Sequence, residues 1–235
     1  MREIKRYERG YDKGEKQKEG TLRLASFDVL IDESEILLQI DDFTKDDLNK
    51  HFDIKTGEWG VEDGWVVGKN PDMCPGMIVS KADFFGPVMF EIRCKMIAPS
   101  THDVNIMIHG EWDDEIGKEN PAAGRRTAYV TGLEAFWHGN IGFEKSPDYK
   151  LTVATQLFEF DPEKEHILRL GNLGEKLFVQ VDGQLCLEIK DPDPIDIYKY
   201  GKVGVEAFAS WFKFKDMKVY SLKFEKAREY YCPEF

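Results

Sequence analysis

The sequence predicts an all-β protein, an antiparallel two-sheet β-sandwich of the jelly-roll type, and three observations lead to this class. From residue 59 onward, apolar and polar residues alternate with the period of two that strands show. Turn signals rich in Gly, Asp and Pro separate these stretches at intervals of about 8–12 residues. No stretch carries the periodicity of a helix of three turns. We expect about a dozen strands in a single large domain.

The first part of the chain is less regular than the rest. Residues 1–20 carry many charges and few apolar anchors, so we expect a mobile or peripheral lead-in, with a single sandwich domain over residues 21–235. Residues 22–40 hold two short apolar runs, which predict a first strand and an edge element. Residues 46–48 are expected to form a helical turn.

The middle of the chain alternates clearly. Residues 62–64 predict a hairpin turn and residues 71–76 a loop. Residues 103–112 predict a strand, and residues 113–126, which are polar and contain Gly and Pro, predict a surface loop. The predicted strand that precedes residues 103–112 has apolar residues at alternate positions, and we expect these residues in the core: Val88, Phe90, Ile92, Cys94 and Met96.

One stretch, residues 128–145, is interpreted as a strand whose two faces differ. Tyr129, Leu133 and Trp137 share the parity expected to face the core, whereas Glu134 and His138 share the opposite parity. The later elements follow the same rules: a strand within residues 150–158, hairpin turns at 172–175 and 182–183, and two closing strands within residues 201–223.

Composition limits the partners and the location of the protein. The net charge of −12 and the pI near 5.0 argue against nucleic acid or an anionic membrane as a partner, because no basic stripe is present. The charged N-terminus lacks the apolar run of a signal peptide, and no apolar stretch approaches the roughly 20 residues of a membrane span. The four cysteines lack CxxC spacing, which favours free thiols over disulfides or metal ligation. We therefore expect a cytoplasmic protein.

Several short motifs in this order resemble the concanavalin-A-like lectin/glucanase superfamily. They lie at residues 42–43 (DF), 59–64 (WGVEDG), 178–183 (FVQVDG), 201–207 (GKVGVEA) and 214–219 (FKDMKV). The chain is also similar to the galectin-like bacterial proteins of unknown function from polysaccharide-utilisation loci and to the laminin-G-like 3-keto-disaccharide hydrolase group. The resemblance implies a curved sheet whose concave face meets a sugar. The glucanase motif Glu-x-Asp-x-x-Glu is absent from the sequence.

The polar parity of the predicted strands supplies the candidate site residues. Histidine transfers protons near neutral pH, arginine and carboxylates make strong paired hydrogen bonds, and tryptophan can stack on a pyranose ring. The catalytic candidates are His109, His138 and Glu134, and the substrate-binding candidates are Arg93, Asn105, Glu111, Trp112, Gln156 and Glu206. The alternative is that these residues form the solvated outer face that any sandwich has, with His109 and Trp112 as packing residues at a strand end.

Two further charged groups have alternative interpretations. Arg125 and Arg126 end the predicted loop, where they either are simply solvated or grip a uronate or sulfate. The acidic runs at residues 113–115 and 191–196 offer oxygen ligands for Ca²⁺, but they lack the glycine-punctuated spacing of a dedicated calcium loop. We expect no metal and no cofactor. Motifs of zinc proteases, serine hydrolases and nucleotide-binding proteins are absent from the sequence.

Three functions follow as alternatives. The first is an intracellular carbohydrate-active protein that binds a small oligosaccharide and cleaves it as a glycoside hydrolase or lyase. The second is a non-catalytic sugar-binding module that uses the same face. The third is a structural or subunit-interaction sandwich, in which a homodimer covers the polar face.

Overall fold

The computed structural model describes residues 20–24, 27–32, 35–134, 141–147, 151–156 and 158–226. In these residues the chain forms sixteen strands and three short helices. The strands are β1 (Thr21–Arg23), β2 (Phe27–Leu30), β3 (Ile36–Ile40), β4 (Phe52–Ile54), β5 (Glu58–Glu62), β6 (Trp65–Ser80), β7 (Val88–Met96), β8 (Val104–Trp112), β9 (Arg125–Leu133), β10 (Ile141–Ser146), β11 (Thr152–Thr155), β12 (His166–Asn172), β13 (Lys176–Val181), β14 (Gln184–Lys190), β15 (Lys202–Ser221) and β16 (Lys223–Lys226). The helices are α1 (Lys45–His51), α2 (Asp114–Glu119) and α3 (Pro121–Gly124).

The predicted all-β antiparallel sandwich is confirmed. Thirteen strands form one hydrogen-bonded antiparallel sheet, because the long strands β6 and β15 run through both layers. The N-terminal half of β15 pairs with β8, whereas its C-terminal half pairs with β7. We call the strands around β8 the front layer. It contains β4, β8 to β11, the C-terminal half of β6 and the N-terminal half of β15. The back layer contains β3, β5, β7, β12 to β14 and the other halves of the two long strands.

The core lies between the two layers. Ile106 and Tyr129 of the front layer and Phe90 and Leu168 of the back layer belong to one buried apolar cluster. The core orientation that alternation predicts for Tyr129 and Leu133 is confirmed. The opposite side of the front layer, which we call its outer face, carries a second buried apolar group with Met77, Met107 and Val130.

A small second sheet covers part of the back layer. It has the strand order β1-β2-β16. Val29 of this sheet packs in a cluster with Met89, Phe178 and Tyr220. The single domain expected over residues 21–235 stays a prediction, and the lead-in over residues 1–20 lies, apart from Gly20, outside the described residues.

The predicted helical turn and two of the predicted hairpin turns are confirmed. Helix α1 contains the expected helical turn, and Thr44 and Asp47 form a capping box at its start. Asp63 and Gly64 make the turn between β5 and β6, both with a positive φ. The turn at residues 182–183 likewise joins β13 to β14.

Three longer predictions are wrong. Residues 128–145 are not one strand: β9 and β10 pair with each other, with Val130 opposite Glu144. Residues 71–76 are not a loop but belong to β6. In the pairing of β6 with β15, Pro75 lies opposite Phe208 and the next paired residue, Asn70, lies opposite Ser210, so residues 71–74 have no partner in β15. Residues 113–126 are not a loop but contain α2 and α3, which are too short for their periodicity to show in the sequence.

Candidate functional site

The segment with α2 and α3 wraps around the indole of Trp112 at the end of β8. Asp113 caps α2 by accepting hydrogen bonds from the backbone N–H groups of Glu115 and Ile116, each at 3.0 Å. A Cβ atom at Gly117 or Gly124 would lie 2.6 or 2.7 Å from Cζ2 of Trp112. These two positions therefore require glycine for the helices to approach the ring.

Beside this indole lies an open cleft of about 400 Å³ between β4 and α2, which we call the Trp112 cleft. Clefts of roughly 300–1,000 Å³ are the usual size for small-molecule sites. Lys55 lies in the cleft, where its Nζ is 2.9 Å from Asp114 Oδ1 and 3.7 Å from Asp53 Oδ2. The full lining is Asp53, Ile54, Lys55, Trp112, Asp114, Gly117 and Lys118.

Asp114 of the Trp112 cleft is held in its charged form. The hydrogen bond from Lys55 lowers the pKa of Asp114, and the nearby charge of Lys118 acts in the same direction. The cleft therefore combines an aromatic surface with carboxylate acceptors and ammonium donors. This combination suits a ligand that has both an apolar face and several hydroxyl groups.

A second polar group lies buried on the outer face of the front layer, and we call it the carboxylate cluster: Asp103, Asn105, Arg125, Glu144 and Glu206. Strand pairing brings it together, since Glu206 pairs with Asn105. Arg125 donates to Glu206 from Nη1, to Glu144 Oε1 from Nη2 at 2.7 Å, and to Ser146 Oγ from Nε at 2.9 Å. One guanidinium thus joins side chains of β9, β10 and β15.

Asn105 forms the other link of the carboxylate cluster. Its Nδ2 donates to Asp103 Oδ1 at 2.6 Å and to Glu206 Oε1 at 3.2 Å. Among the described residues its Oδ1 has no hydrogen-bond partner, although it is buried. A Cβ atom at Gly132 would lie 1.7 Å from this oxygen, so Asn105 occupies space that only glycine leaves free.

Two of the buried carboxyl groups, those of Asp103 and Glu144, have a raised pKa. Burial and the nearby Glu206 raise the pKa of Asp103 to about 8. Burial raises the pKa of Glu144 to about 7, although Arg125 acts in the opposite direction. The carboxylate cluster therefore gains and loses protons near neutral pH, which is a common property of functional sites.

No protein-family model and no curated protein matches the sequence. Among solved structures, a galectin-like protein of unknown function from Bacillus subtilis has a TM-score of 0.61 and 14% identity, covering 81% of this chain and 98% of that one. The chain has a concanavalin-A-like fold. The carbohydrate binding module CBM66 from Bacillus subtilis has a TM-score of 0.56 and 14% identity over 73% of this chain and 96% of that one. The carbohydrate recognition domain of Emp46p has a TM-score of 0.54 and 14% identity, covering 80% of this chain and 97% of that one.

Within this concanavalin-A-like fold, three predicted site residues lie on the outer face or beside it. Asn105 and Glu206 belong to the carboxylate cluster, and Trp112 lines the Trp112 cleft. The remaining candidates are more scattered: Glu111 is exposed on β8, Gln156 is exposed after β11, Glu134 is half-buried after β9, and His138 lies outside the described residues.

His109 does not face the groove as predicted. A bulge in the β8–β9 pairing follows Ile108, and His109 has a φ of +50°. The imidazole is fully buried, 6.4 Å from the ring of Tyr129, and Nδ1–H donates to the Tyr200 carbonyl oxygen at 3.1 Å. Burial lowers the pKa of His109 to about 4. A bulge reverses the side on which the following residues lie, which alternation alone does not reveal.

Arg93 also lies away from the other candidates. It belongs to the outer surface of the back layer, where Nε is 2.5 Å from Asp216 Oδ2 and Nη1 is 3.9 Å from Glu165 Oε2. Alternation correctly predicted that Arg93 points away from the core. It does not reveal to which layer a strand belongs.

Asp103 and Glu144 were not predicted as site residues, and Arg125 had two possible interpretations. Glu144 was missed because residues 128–145 were interpreted as one strand. Arg125 gave no local signal of burial, since an arginine at the end of a polar stretch is usually solvated.

The described residues contain neither a metal-binding group of side chains nor a membrane-spanning helix. No group of three or more His, Cys, Asp or Glu side chains there is arranged to hold a metal ion. In the acidic runs, Asp113 caps α2, and Asp191 accepts a hydrogen bond from Tyr129 Oη at 2.8 Å. None of the described helices combines the length and the apolar character needed to cross a bilayer.

Proposed function

We propose that this chain binds a small saccharide in the Trp112 cleft. The observation that carries the proposal is the pairing of an indole with fixed charged groups in an open cleft of about 400 Å³. A sugar ring presents C–H groups that pack on an aromatic ring, and its hydroxyl groups both donate and accept hydrogen bonds. Asp53, Asp114 and Lys118 offer matching acceptors and donors at the rim.

The fold neighbours support the same ligand class. Two of the similar structures are, by their names, a carbohydrate binding module and a carbohydrate recognition domain. At 14% identity, these two structures support the class of ligand by analogy of fold alone. The proposed contacts with the ligand are inferred from this chain's own residues.

Binding is favoured over cleavage. Most glycoside hydrolases use a general acid that is a carboxyl group, protonated near neutral pH and within reach of the ligand. In the Trp112 cleft, Asp114 is held ionised by Lys55, whereas the carboxyl groups with a raised pKa are buried in the carboxylate cluster. Cleavage is the alternative function, with His109, His138 and Glu134 as its predicted catalytic residues. The cytoplasmic location and the homodimer stay proposals.

A saccharide panel tests the proposal. Mono- and oligosaccharides are screened by thermal shift, since a specific ligand stabilises the folded protein, and each hit is measured by calorimetry. Trp112→Ala should weaken binding at least about tenfold, because the stacking surface is lost. Asp114→Asn, an exposed rim substitution that leaves the packing intact, should weaken it by about threefold to tenfold.

The matched control is Trp65→Ala. Trp65 is also half-buried, but it lies on the back layer beneath Lys213 Nζ at 4.4 Å and Lys215 Nζ at 5.2 Å from its ring centroid. This variant should keep the wild-type affinity. If folded Trp112→Ala and Asp114→Asn both bind the sugar as the wild type does, the cleft is not the site. If no saccharide stabilises the protein, the proposed function is wrong.

A further inference from the structure

Arg125 connects the Trp112 cleft to the carboxylate cluster. It directly follows Gly124, whose close contact with the indole shapes one wall around Trp112. The two ends of the helical segment are also tied together, because Asp113 N–H donates to the Gly124 carbonyl oxygen at 2.9 Å. Helix α3 contacts β6 and β9 on the outer face. The position of this segment on the front layer therefore depends on where the Arg125 side chain is held.

We propose that proton binding by the carboxylate cluster controls how firmly Arg125 holds the α2–α3 segment on the front layer, and that saccharide binding in the Trp112 cleft is consequently proton-linked. The second part of this inference rests on the proposed function. Arg125 is then a positioning residue, because it acts on the ligand through Gly124 and Trp112.

The geometry of the carboxylate cluster supplies the driving force. The charged groups that face one another are Asp103 from the segment before β8, Arg125 from β9, Glu144 from β10 and Glu206 from β15. When all three carboxyl groups are ionised, three negative charges share the one guanidinium in a space from which water is excluded. An excess of buried like charge is costly and favours any movement that lets water in.

The direction of the pH effect follows from linkage. Burial raises the pKa of Asp103 and Glu144, so the closed arrangement binds more protons than an arrangement in which water reaches them. For each carboxyl group, the ratio of closed to open protein falls by up to about tenfold per pH unit between the solvated and the buried pKa. The segment is therefore held most firmly at acidic pH and loosens as the pH rises through about 7 and 8.

The first test needs no saccharide. Protein labelled with 5-fluorotryptophan gives a ¹⁹F resonance for each tryptophan, and Trp112→Phe identifies the resonance of Trp112. Between about pH 6 and about pH 9, that resonance should shift or broaden with a midpoint near 7 to 8. The resonance of Trp65 on the back layer should not follow this transition.

Two isosteric variants decide whether the carboxylate cluster causes the transition. Glu144→Gln and Asp103→Asn keep the shape of the side chains but cannot ionise, so each should weaken or move the transition of Trp112. The control is Glu91→Gln on the back layer, which alters a buried carboxylate bound by Arg169 and should keep the wild-type transition. A Trp112 resonance that does not change with pH in the wild type overturns the proposal, as does a transition that both folded variants retain.

The saccharide measurement separates this inference from the proposed function. With a hit from the panel, the dissociation constant should rise at least about fivefold from pH 6.5 to pH 8.5 in the wild type and less in Glu144→Gln. A pH-dependent Trp112 resonance without any saccharide ligand supports the proton-linked segment and rejects the proposed function. A saccharide that binds equally at both pH values, with a silent Trp112 resonance, rejects only the inference.

Discussion

Two arrangements of arginine and carboxylate groups lie on opposite surfaces of this sandwich. On the back layer Glu91 is paired with Arg169, and Arg93 is paired closely with Asp216 and, at 3.9 Å, with Glu165. Water reaches both arginines there, with 25% and 34% of their side chains exposed. On the front layer Arg125 is 4% exposed and serves two carboxylates at once. The same residue types thus form pairs with water-accessible arginines on one side and a cluster around a buried arginine on the other.

Two histidines are buried in the part of the chain that the structure describes, and they show the same contrast. On the back layer His166 has both ring nitrogens in use, with Asp182 Oδ2 at 2.8 Å and the Asp161 carbonyl oxygen at 2.8 Å. On the front layer Nε2 of His109 has no partner among the described residues. Unsatisfied and unbalanced polar groups cost stability, and proteins retain them mainly where they serve function. The contrast between these two histidines agrees with the site proposed on the front layer.

The largest expected effect on stability comes from replacing Arg125 of the front layer, and the matching substitution on the back layer replaces Arg169. Arg125→Ala leaves the carboxylates of the cluster without their cation and should lower the free energy of unfolding by about 3–5 kcal/mol. Arg169→Ala should cost less, about 1–2 kcal/mol, because it leaves the buried Glu91 carboxylate without its donor but water reaches the Arg169 side of the pair. Urea unfolding at pH 7 measures both values. Equal losses would show that the two sides do not differ in this respect.

The next effect concerns His109 at acidic pH. Burial holds its pKa at about 4, below the ordinary 6.5, so the unfolded chain takes up a proton that the folded protein excludes. Its contribution to stability is present above pH 6.5 and is lost as the pH falls toward 4. Relative to the wild type, His109→Gln should therefore regain about 2–3 kcal/mol between pH 7 and pH 4. A stability difference that stays constant over this range contradicts the assignment, and calorimetry at matched pH values measures it.

The smallest effect tests how tightly the carboxylate cluster is packed. Gly132→Ala places a Cβ atom 1.7 Å from Asn105 Oδ1 and should destabilise the protein by about 1–3 kcal/mol. On the back layer, a Cβ atom at Gly60 would meet nothing within 4 Å, so Gly60→Ala should change the stability by less than about 0.5 kcal/mol. Thermal unfolding compares the two. A harmless Gly132→Ala would mean that Asn105 is not packed as described.

Local features were predictable where a few neighbouring residues determine them. The capping pair Thr44 and Asp47 begins α1, and Asp182–Gly183 forms the predicted hairpin turn. The core side of Tyr129 followed from alternation within β9. Alternation failed for His109, because a bulge in the middle of a strand leaves no clear local signature.

The sequence by itself determined the antiparallel sandwich, the core parity of its strands and most of its tight turns, because alternation and turn chemistry act over a few residues. Only the tertiary structure decided which polar residues meet. It placed Arg93 on the back layer, Asn105 and Glu206 on the front layer, and the guanidinium of Arg125 between Glu206 and Glu144. These contacts join residues 81 and 19 positions apart through strand pairing, which no short stretch of sequence specifies.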